Sequence, residues 1–316
     1  MEARRAGPGT PLLVGATLAL FLVWSNTFLA FETLLAPPSG EPPLLWVDLL
    51  VARFLPAGIL AGGWCLLFRR AESLAILRAH PRRLLLAGLL CVPCHNALIY
   101  HGMQSRVEGP IASLLTSLMP LYIALLGALF LGEALTARKV AGLALGFGGV
   151  ALIASAKEGG GAARALCVAE VALAPLLWAC YSVLTRPVAR EHSPLVWTYL
   201  VLGTGSLLLL PFLPWVEVPR LRALDGRGVA LLAYLVLVAT VFGFATWSWL
   251  LRHLPASTVG LTVFLNPPFT MASKFALAAL FPAAFVVSIS GREWAGGALA
   301  LLGVGVAVVR WKPREG

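Results

Sequence analysis

Apolar stretches of about 20 residues recur along the whole chain, and nothing else in the sequence constrains its fold as strongly. Each is long enough to cross a bilayer core about 30 Å thick. Ten such spans are predicted, at 11–31, 45–68, 84–103, 110–131, 139–156, 165–185, 195–214, 229–250, 256–280 and 294–310. Only 12% of the residues are charged and 59% are hydrophobic. A soluble domain is about a quarter charged, so soluble enzymes, nucleic-acid binders and secreted disulfide scaffolds are excluded. The expected fold is all-α: a polytopic membrane protein.

The formal net charge of +10 invites a polyanion partner, but its distribution says otherwise. With the N-terminus placed in the cytoplasm, fifteen of the 24 Lys and Arg residues fall on the cytoplasmic side, among them Arg69, Arg70, Arg78, Arg82, Arg83 and Arg138. Seven fall outside, and Arg53 and Lys274 lie within spans. This excess is the positive-inside rule at work. It places both termini in the cytoplasm of a multi-pass inner-membrane protein, with membrane lipid as its surroundings and no nucleic acid as a partner.

The five cysteines, Cys65, Cys91, Cys94, Cys167 and Cys180, sit in or at the edge of spans and read as small apolar residues. Cys91-Val92-Pro93-Cys94-His95 matches the haem-attachment pattern. Mid-membrane, in an apolar helix containing Pro93, it has no room for a macrocycle, and no cofactor or metal is expected. The first span has a basic start, but its long apolar run and Trp24-Ser25-Asn26 make it a retained helix rather than a signal peptide.

The ten spans fall into two sets of five, residues 1–156 and 157–316. Trp24-Ser25-Asn26-Thr27 in span one is answered by Trp178-Ala179-Cys180-Tyr181 in span six. The stretch from Ser113 to Pro120 in span four is answered by Gly260 to Pro267 in span nine, at the same spacing. Spans five and ten are both glycine-rich, with Gly142, Gly146, Gly148 and Gly149 in one and Gly296, Gly297, Gly303 and Gly305 in the other. Because five is odd, the second set must run inverted relative to the first. Inverted repeats with a midplane site at their interface are a recurring design of secondary transporters.

Several of these residues together resemble the EamA-like branch of the drug/metabolite transporter superfamily. They are Trp24-Ser25-Asn26, Arg53-Phe54, Met119-Pro120, Leu131-Gly132-Glu133 and the glycine-rich fifth span. The resemblance covers about 11–310. It implies a ten-helix bundle of two inverted five-helix repeats around a central cavity, and transport, often export, of small metabolites or amino acids. One departure stands out. The second half runs into Leu280-Phe281 and then an insertion at 282–292 in place of a second Gly-Glu, which implies asymmetric gating.

Arg53 lies about nine residues, or about 13 Å, into the second span. A guanidinium at that depth faces a bundle interior or a wet cavity. It serves either as a cavity cation for a substrate carboxylate or as a structural group bonded to helix-end carbonyls or to an acid such as Glu170 or Asp48. Asn96 and Tyr100, four residues apart on one helix face, are read as cavity-lining, with an interhelical hydrogen bond as the alternative. His95 beside them is the candidate for proton coupling, since an unperturbed histidine titrates near physiological pH; a packed interior histidine is the alternative.

Trp24, Trp178, Trp247 and Tyr181 sit inside spans rather than at their ends and fit the wall of an apolar pocket, or simple packing. Asn26 is placed with them. Asn266-Pro267-Pro268 and the matching Pro120 break a helix in each half, freeing carbonyls such as that of Thr116; this pairing points to a binding site. Lys274, near the outer end of its span, is read as snorkelling and not as a ligand. Glu133 is the candidate gate. The glycines allow close helix approach, as scaffold or as a homodimer contact.

No catalytic constellation is present, so the chain is not read as an enzyme. The expected function is a secondary transporter, an exporter of a small organic solute by alternating access. The alternatives are a nucleotide-sugar or sugar-phosphate exchanger, which would want more basic groups than Arg53, and a non-transporting scaffold.

Overall fold

The computed structural model describes residues 10–37, 43–105, 107–130, 136–156, 161–254, 262–281 and 289–308. Among them every regular element is helical. In chain order these are α1 (Thr10–Leu35), α2 (Trp46–Phe68), α3 (Arg70–Ala79), α4 (Pro81–Leu89), α5 (His95–Ser105), α6 (Gly109–Thr116), α7 (Met119–Phe130), α8 (Ala137–Ala154), α9 (Gly161–Glu191), α10 (Pro194–Leu207), α11 (Val218–Arg222), α12 (Gly226–Ala233), α13 (Gly243–His253), α14 (Asn266–Leu280) and α15 (Gly291–Val308). Among the described residues, six helical stretches are long and apolar enough to cross a membrane: Thr10–Leu35, Trp46–Phe68, Pro81–Ser105, Ala137–Ala154, Ala162–Thr185 and Gly226–Leu250. Of the remaining expected spans, four, seven and nine show shorter helices among the described residues, and span ten is the 18-residue α15.

Two of the long stretches carry a π-helical segment. Leu90–Cys94 joins α4 to α5, and Tyr234–Phe242 joins α12 to α13. They fall in the third span of each set of five. Widening a helix turn misaligns backbone carbonyls, and a side chain must then satisfy them. In the first segment the Asn96 amide donates to the carbonyls of Cys91 and Val92, each at 3.0 Å. In the second, the Thr240 hydroxyl donates to Leu235 O at 2.7 Å and the Trp24 indole to Ala239 O at 3.0 Å.

The shorter helices mark the proline sites. The chain turns at Ser117 and Leu118 between α6 and α7, and Pro120 lies in the first turn of α7. A 3₁₀ turn at Thr262–Leu265 precedes α14, whose first residues are Asn266, Pro267 and Pro268. A first helical turn tolerates proline because its N–H groups have no intrahelical partner there. The prolines thus start helices rather than kinking continuous ones.

The segment 69–83, between the second and third spans, is filled by α3, which buries Ser73 and Ile76. Two expectations need correction. Span seven stops as an α-helix at Leu207 and continues as a 3₁₀ turn at Leu210–Trp215. Lys274 does not snorkel. It is 1% exposed, 2.7 Å from Glu32 Oε1 and 3.7 Å from Glu108 Oε2, so burial is balanced by two carboxylates from α1 and the α6 N-terminus.

The halves interlock through glycine. α8 and α15 lie side by side; a Cβ at Gly303 would come within 2.5 Å of Gly146 N, and one at Gly149 would collide with the Gly296 carbonyl. α2 and α10 approach in the same way at Gly62 and Gly203. Without a hydrophobic driving force between helices in lipid, such close backbone approach supplies the dispersion contact. A buried Arg164–Glu293 ion pair ties the start of α9 to the start of α15, and Arg164 also donates to Ile153 O at the end of α8.

Candidate functional site

Where α1, α2, α5, the α6–α7 turn, α9, α13 and the start of α14 converge, they line a partly open cavity of about 120 Å³. That leaves room for several waters or one small organic solute. Its wall is mainly aromatic. Trp247 and Trp24 lie 5.4 Å apart, Phe244 sits 5.9 Å from Trp24 and 5.8 Å from Trp178, and His95 sits 5.2 Å from Trp178. The rings meet mostly edge-on or tilted, the favoured aromatic geometry, and form one continuous surface drawn from both halves.

Trp24 is held there by its hydrogen bond to Ala239 O, which needs a residue without a side chain at Gly243: a Cβ at that position would stand 2.6 Å from the Trp24 indole nitrogen. The glycine is therefore required by the close approach of the ring and not by its backbone angle.

Arg53 is 5% exposed and lines the cavity. Its Nε donates to Thr240 Oγ1 at 2.9 Å and its Nη1 to the Tyr100 hydroxyl at 2.6 Å. The guanidinium carbon lies 4.6 Å from the Phe54 ring centre and 5.2 Å from that of Phe31. Neither acid considered from sequence reaches it. Asp48 accepts from the backbone N–H groups of Leu45 and Glu217, each at 2.8 Å, and Glu170 pairs with His101 at 2.8 Å. Among the described residues no carboxylate pairs with Arg53. Ring faces and neutral hydroxyls hold the charge, and two of its nitrogens already have partners.

Of the residues singled out from sequence, Trp24, Arg53, His95, Asn96, Trp178, Trp247 and Asn266 line the cavity. Three do not. Tyr100 is buried behind Arg53, whose Nη1 it accepts from, with its ring 4.8 Å from that of Phe31. Tyr181 backs Trp178 at 5.4 Å. Asn26 turns its amide to its own helix, donating to Leu22 O at 2.8 Å. Asn96 reaches the cavity, but its amide protons are committed to the π segment. The Nδ1 of His95 is bonded to Ala174 O at 2.8 Å, so its Nε2 is the nitrogen available to the cavity side. The prolines do not line the cavity; their neighbours Thr116, Met119, Val263 and Asn266 do. Asn266 Oδ1 is buried with no hydrogen-bond partner among the described residues. Glu133 and residues 282–288 lie outside the described residues.

Sequence reasoning missed Thr27, Phe28, Phe31, Phe54, Ile99, Pro175 and Phe244. A helical signal was present for some of them. Phe28 and Phe31 follow Trp24 by four and seven residues, and Phe244 precedes Trp247 by three, so each shares its partner's face. The π segments carried no such signal.

The sequence was compared with known proteins. The model of the EamA-like transporter family matches residues 12–155 and again 165–309. A probable terminal-alkyne amino-acid exporter of Streptantibioticus cattleyicolor is 29% identical over 69% of this chain and 70% of its own. A probable amino-acid metabolite efflux pump of Escherichia coli K12 is 24% identical, covering 73% and 79%, and the inner membrane transporter YedA of the same organism is also 24% identical, covering 81% and 79%. A solved crystal structure, 22% identical, superposes with a TM-score of 0.58 over 95% of this chain and 97% of that one, showing a shared fold. With two matches of one family model, one in each half of an all-helical, membrane-spanning architecture, the chain belongs to the EamA-like transporter family.

Proposed function

We propose that the protein exports a small zwitterionic solute of the amino-acid class across the cytoplasmic membrane by alternating access, with both termini in the cytoplasm and residues 1–156 and 157–316 moving as inverted repeats about the cavity. The observation that carries this reading is Arg53: a buried guanidinium on a cavity wall, with no carboxylate partner among the described residues. A solute carboxylate can complete its fork, the geometry for which arginine is suited. Asn266 lines the same cavity, and its buried Oδ1 has no hydrogen-bond partner among the described residues, so rotation of its amide toward the cavity would offer an acceptor to a solute ammonium. The aromatic wall suits an apolar side chain. The names of the relatives from Streptantibioticus and E. coli support an amino-acid-like solute.

The distribution of basic residues supports the orientation. Arg53 is the single Lys or Arg among the described cavity-lining residues, which suits one carboxylate better than the phosphates of a nucleotide sugar. His95, with Nε2 on the cavity side, remains the candidate for proton coupling, and Glu133 for the gate.

Purified protein in proteoliposomes, preloaded with a labelled neutral amino acid, tests the proposal. Counterflow is expected with neutral L-amino acids and not with the amines that lack their carboxylate. Arg53→Ala and Asn266→Ala should each depress counterflow while leaving the amount of folded protein unchanged. Equal transport of amino acids and carboxylate-free amines would overturn the assignment.

A further inference from the structure

Two helix junctions meet at the ends of the helical stretches that carry His95 and Trp178, away from the cavity-lining residues. His80 closes α3 and opens α4, its N–H bonded to Ile76 O at 2.9 Å. Glu191 and His192 close α9, with the His192 N–H bonded to Val188 O at 2.9 Å. The first junction belongs to the first half of the chain and the second to the second half. They are fastened together where the Ser193 N–H donates to Glu72 Oε1 at 2.6 Å.

Three ligand-bearing side chains converge at this junction. A ligand atom of each of His80, Glu191 and His192 lies within 4.8 Å of the other two. His80 Nε2 stands 3.5 Å from Glu191 Oε2, and the two imidazole rings are 5.8 Å apart at 77°. A second, independent observation concerns His80 itself. Its Nε2 is shielded from solvent and makes no hydrogen bond among the described residues. A shielded ring nitrogen that makes no hydrogen bond carries an unmet desolvation cost. It is aimed at a carboxylate and a second imidazole.

Two imidazoles and one carboxylate are the donor set of an open tetrahedral zinc site. Zinc bonds of about 2.0–2.1 Å place neighbouring ligand atoms about 3.4 Å apart. The His80–Glu191 pair already has that separation. The other pairs, at most 4.8 Å apart, need to close by no more than about 1.4 Å. Glu191, whose side chain is 63% exposed, can change rotamer, and rotation of the imidazoles about their side-chain bonds brings the two histidines together. Imidazole donors favour zinc over magnesium or calcium, which prefer all-oxygen sites.

We propose that His80, Glu191 and His192 bind one zinc ion, with water in the fourth position, and that the ion ties the α3–α4 junction of the first half to the α9–α10 junction of the second. The site stands apart from the cavity and does not depend on what the protein transports.

The test is zinc binding by the full chain, purified without a polyhistidine tag, stripped with chelator and titrated in detergent. One zinc per chain is expected, undiminished by millimolar magnesium or calcium. His80→Ala and His192→Ala should each weaken binding at least tenfold, and Glu191→Gln should weaken it less. His253→Ala, at an exposed site that is not part of this cluster, should leave it intact. Zinc should raise the melting temperature of the unaltered chain but not that of His80→Ala, since a ligand bound only by the native state stabilises it. If His80→Ala fails to elute as folded protein, His80→Gln replaces it. Absence of saturable zinc binding, or binding that survives loss of both histidines, would overturn the proposal.

Discussion

The α8–α15 seam and the aromatic cavity are both contacts between the two halves, yet they are built in opposite ways. At the seam, Gly146, Gly149, Gly296 and Gly303 remove side chains altogether, and the two backbones touch. At the cavity, Trp24, Phe244, Trp178 and Trp247 hold the helices apart, and the space left over is closed by rings rather than by backbone. Tight packing leaves no alternative arrangement within reach, whereas a ring-lined gap does. A transporter needs both: a seam that keeps the halves together and a gap whose walls can exchange partners. The helix irregularities obey this division. Both π segments, the α6–α7 turn and the start of α14 lie beside the cavity, and α8 and α15 run unbroken.

The contrast can be broken most decisively at the seam. Gly149→Leu places a branched side chain against the Gly296 carbonyl, where backbone and not a flexible side chain must yield. Overpacking typically costs about 1–3 kcal/mol, and here more. The expected outcome is loss of monodisperse protein on gel filtration. If Gly149→Leu elutes and melts like the unaltered chain, the seam is not the rigid element.

At the cavity, stability and function should separate. Arg53→Ala should weaken binding of a carboxylate-bearing solute roughly 10- to 100-fold, the equivalent of about 1.5–3 kcal/mol for a charge-assisted bond. Its melting temperature should fall only slightly, because Thr240 keeps its bond to Leu235 O. Solute binding by tryptophan fluorescence and thermal melting measure the two effects side by side. A collapse of both would make Arg53 structural.

A smaller effect is expected where the cavity wall joins the second π segment. Trp24→Phe keeps the ring surface but gives up the bond to Ala239 O in the second π segment. That bond is worth about 1 kcal/mol, and a melting shift of a few degrees would report it. The smallest effect belongs to Gly305→Ala, on the same helix as Gly303. A Cβ there meets no described atom within 4 Å. The change should alter stability by less than about 1 kcal/mol, toward greater stability, since alanine suits a helix better than glycine. A loss comparable to that of Gly149→Leu would show that composition, not contact geometry, accounts for the seam.

The spacing of apolar runs, the glycine-rich pair of helices and the matched Trp24/Trp178 and Pro120/Pro267 motifs were enough to specify a membrane helical bundle in two related halves. These are local properties: hydrophobic length is set by bilayer thickness, and small residues allow close approach whatever they meet. Seven candidate residues line the cavity because deep polar or aromatic side chains in a span must face protein or water. Tertiary structure alone decided the rest. Tyr100 and Tyr181 ended behind the wall because Arg53 and Trp178 stand in front of them. Lys274 became buried because Glu32 and Glu108, far away in sequence, converge on it. The two π segments depend on partners such as Asn96, Thr240 and Trp24 reaching their freed carbonyls. Periodicity tells which face a residue occupies; only the packed bundle decides what that face meets, since a hydrogen bond across 215 residues of sequence leaves no mark on the local pattern at either end.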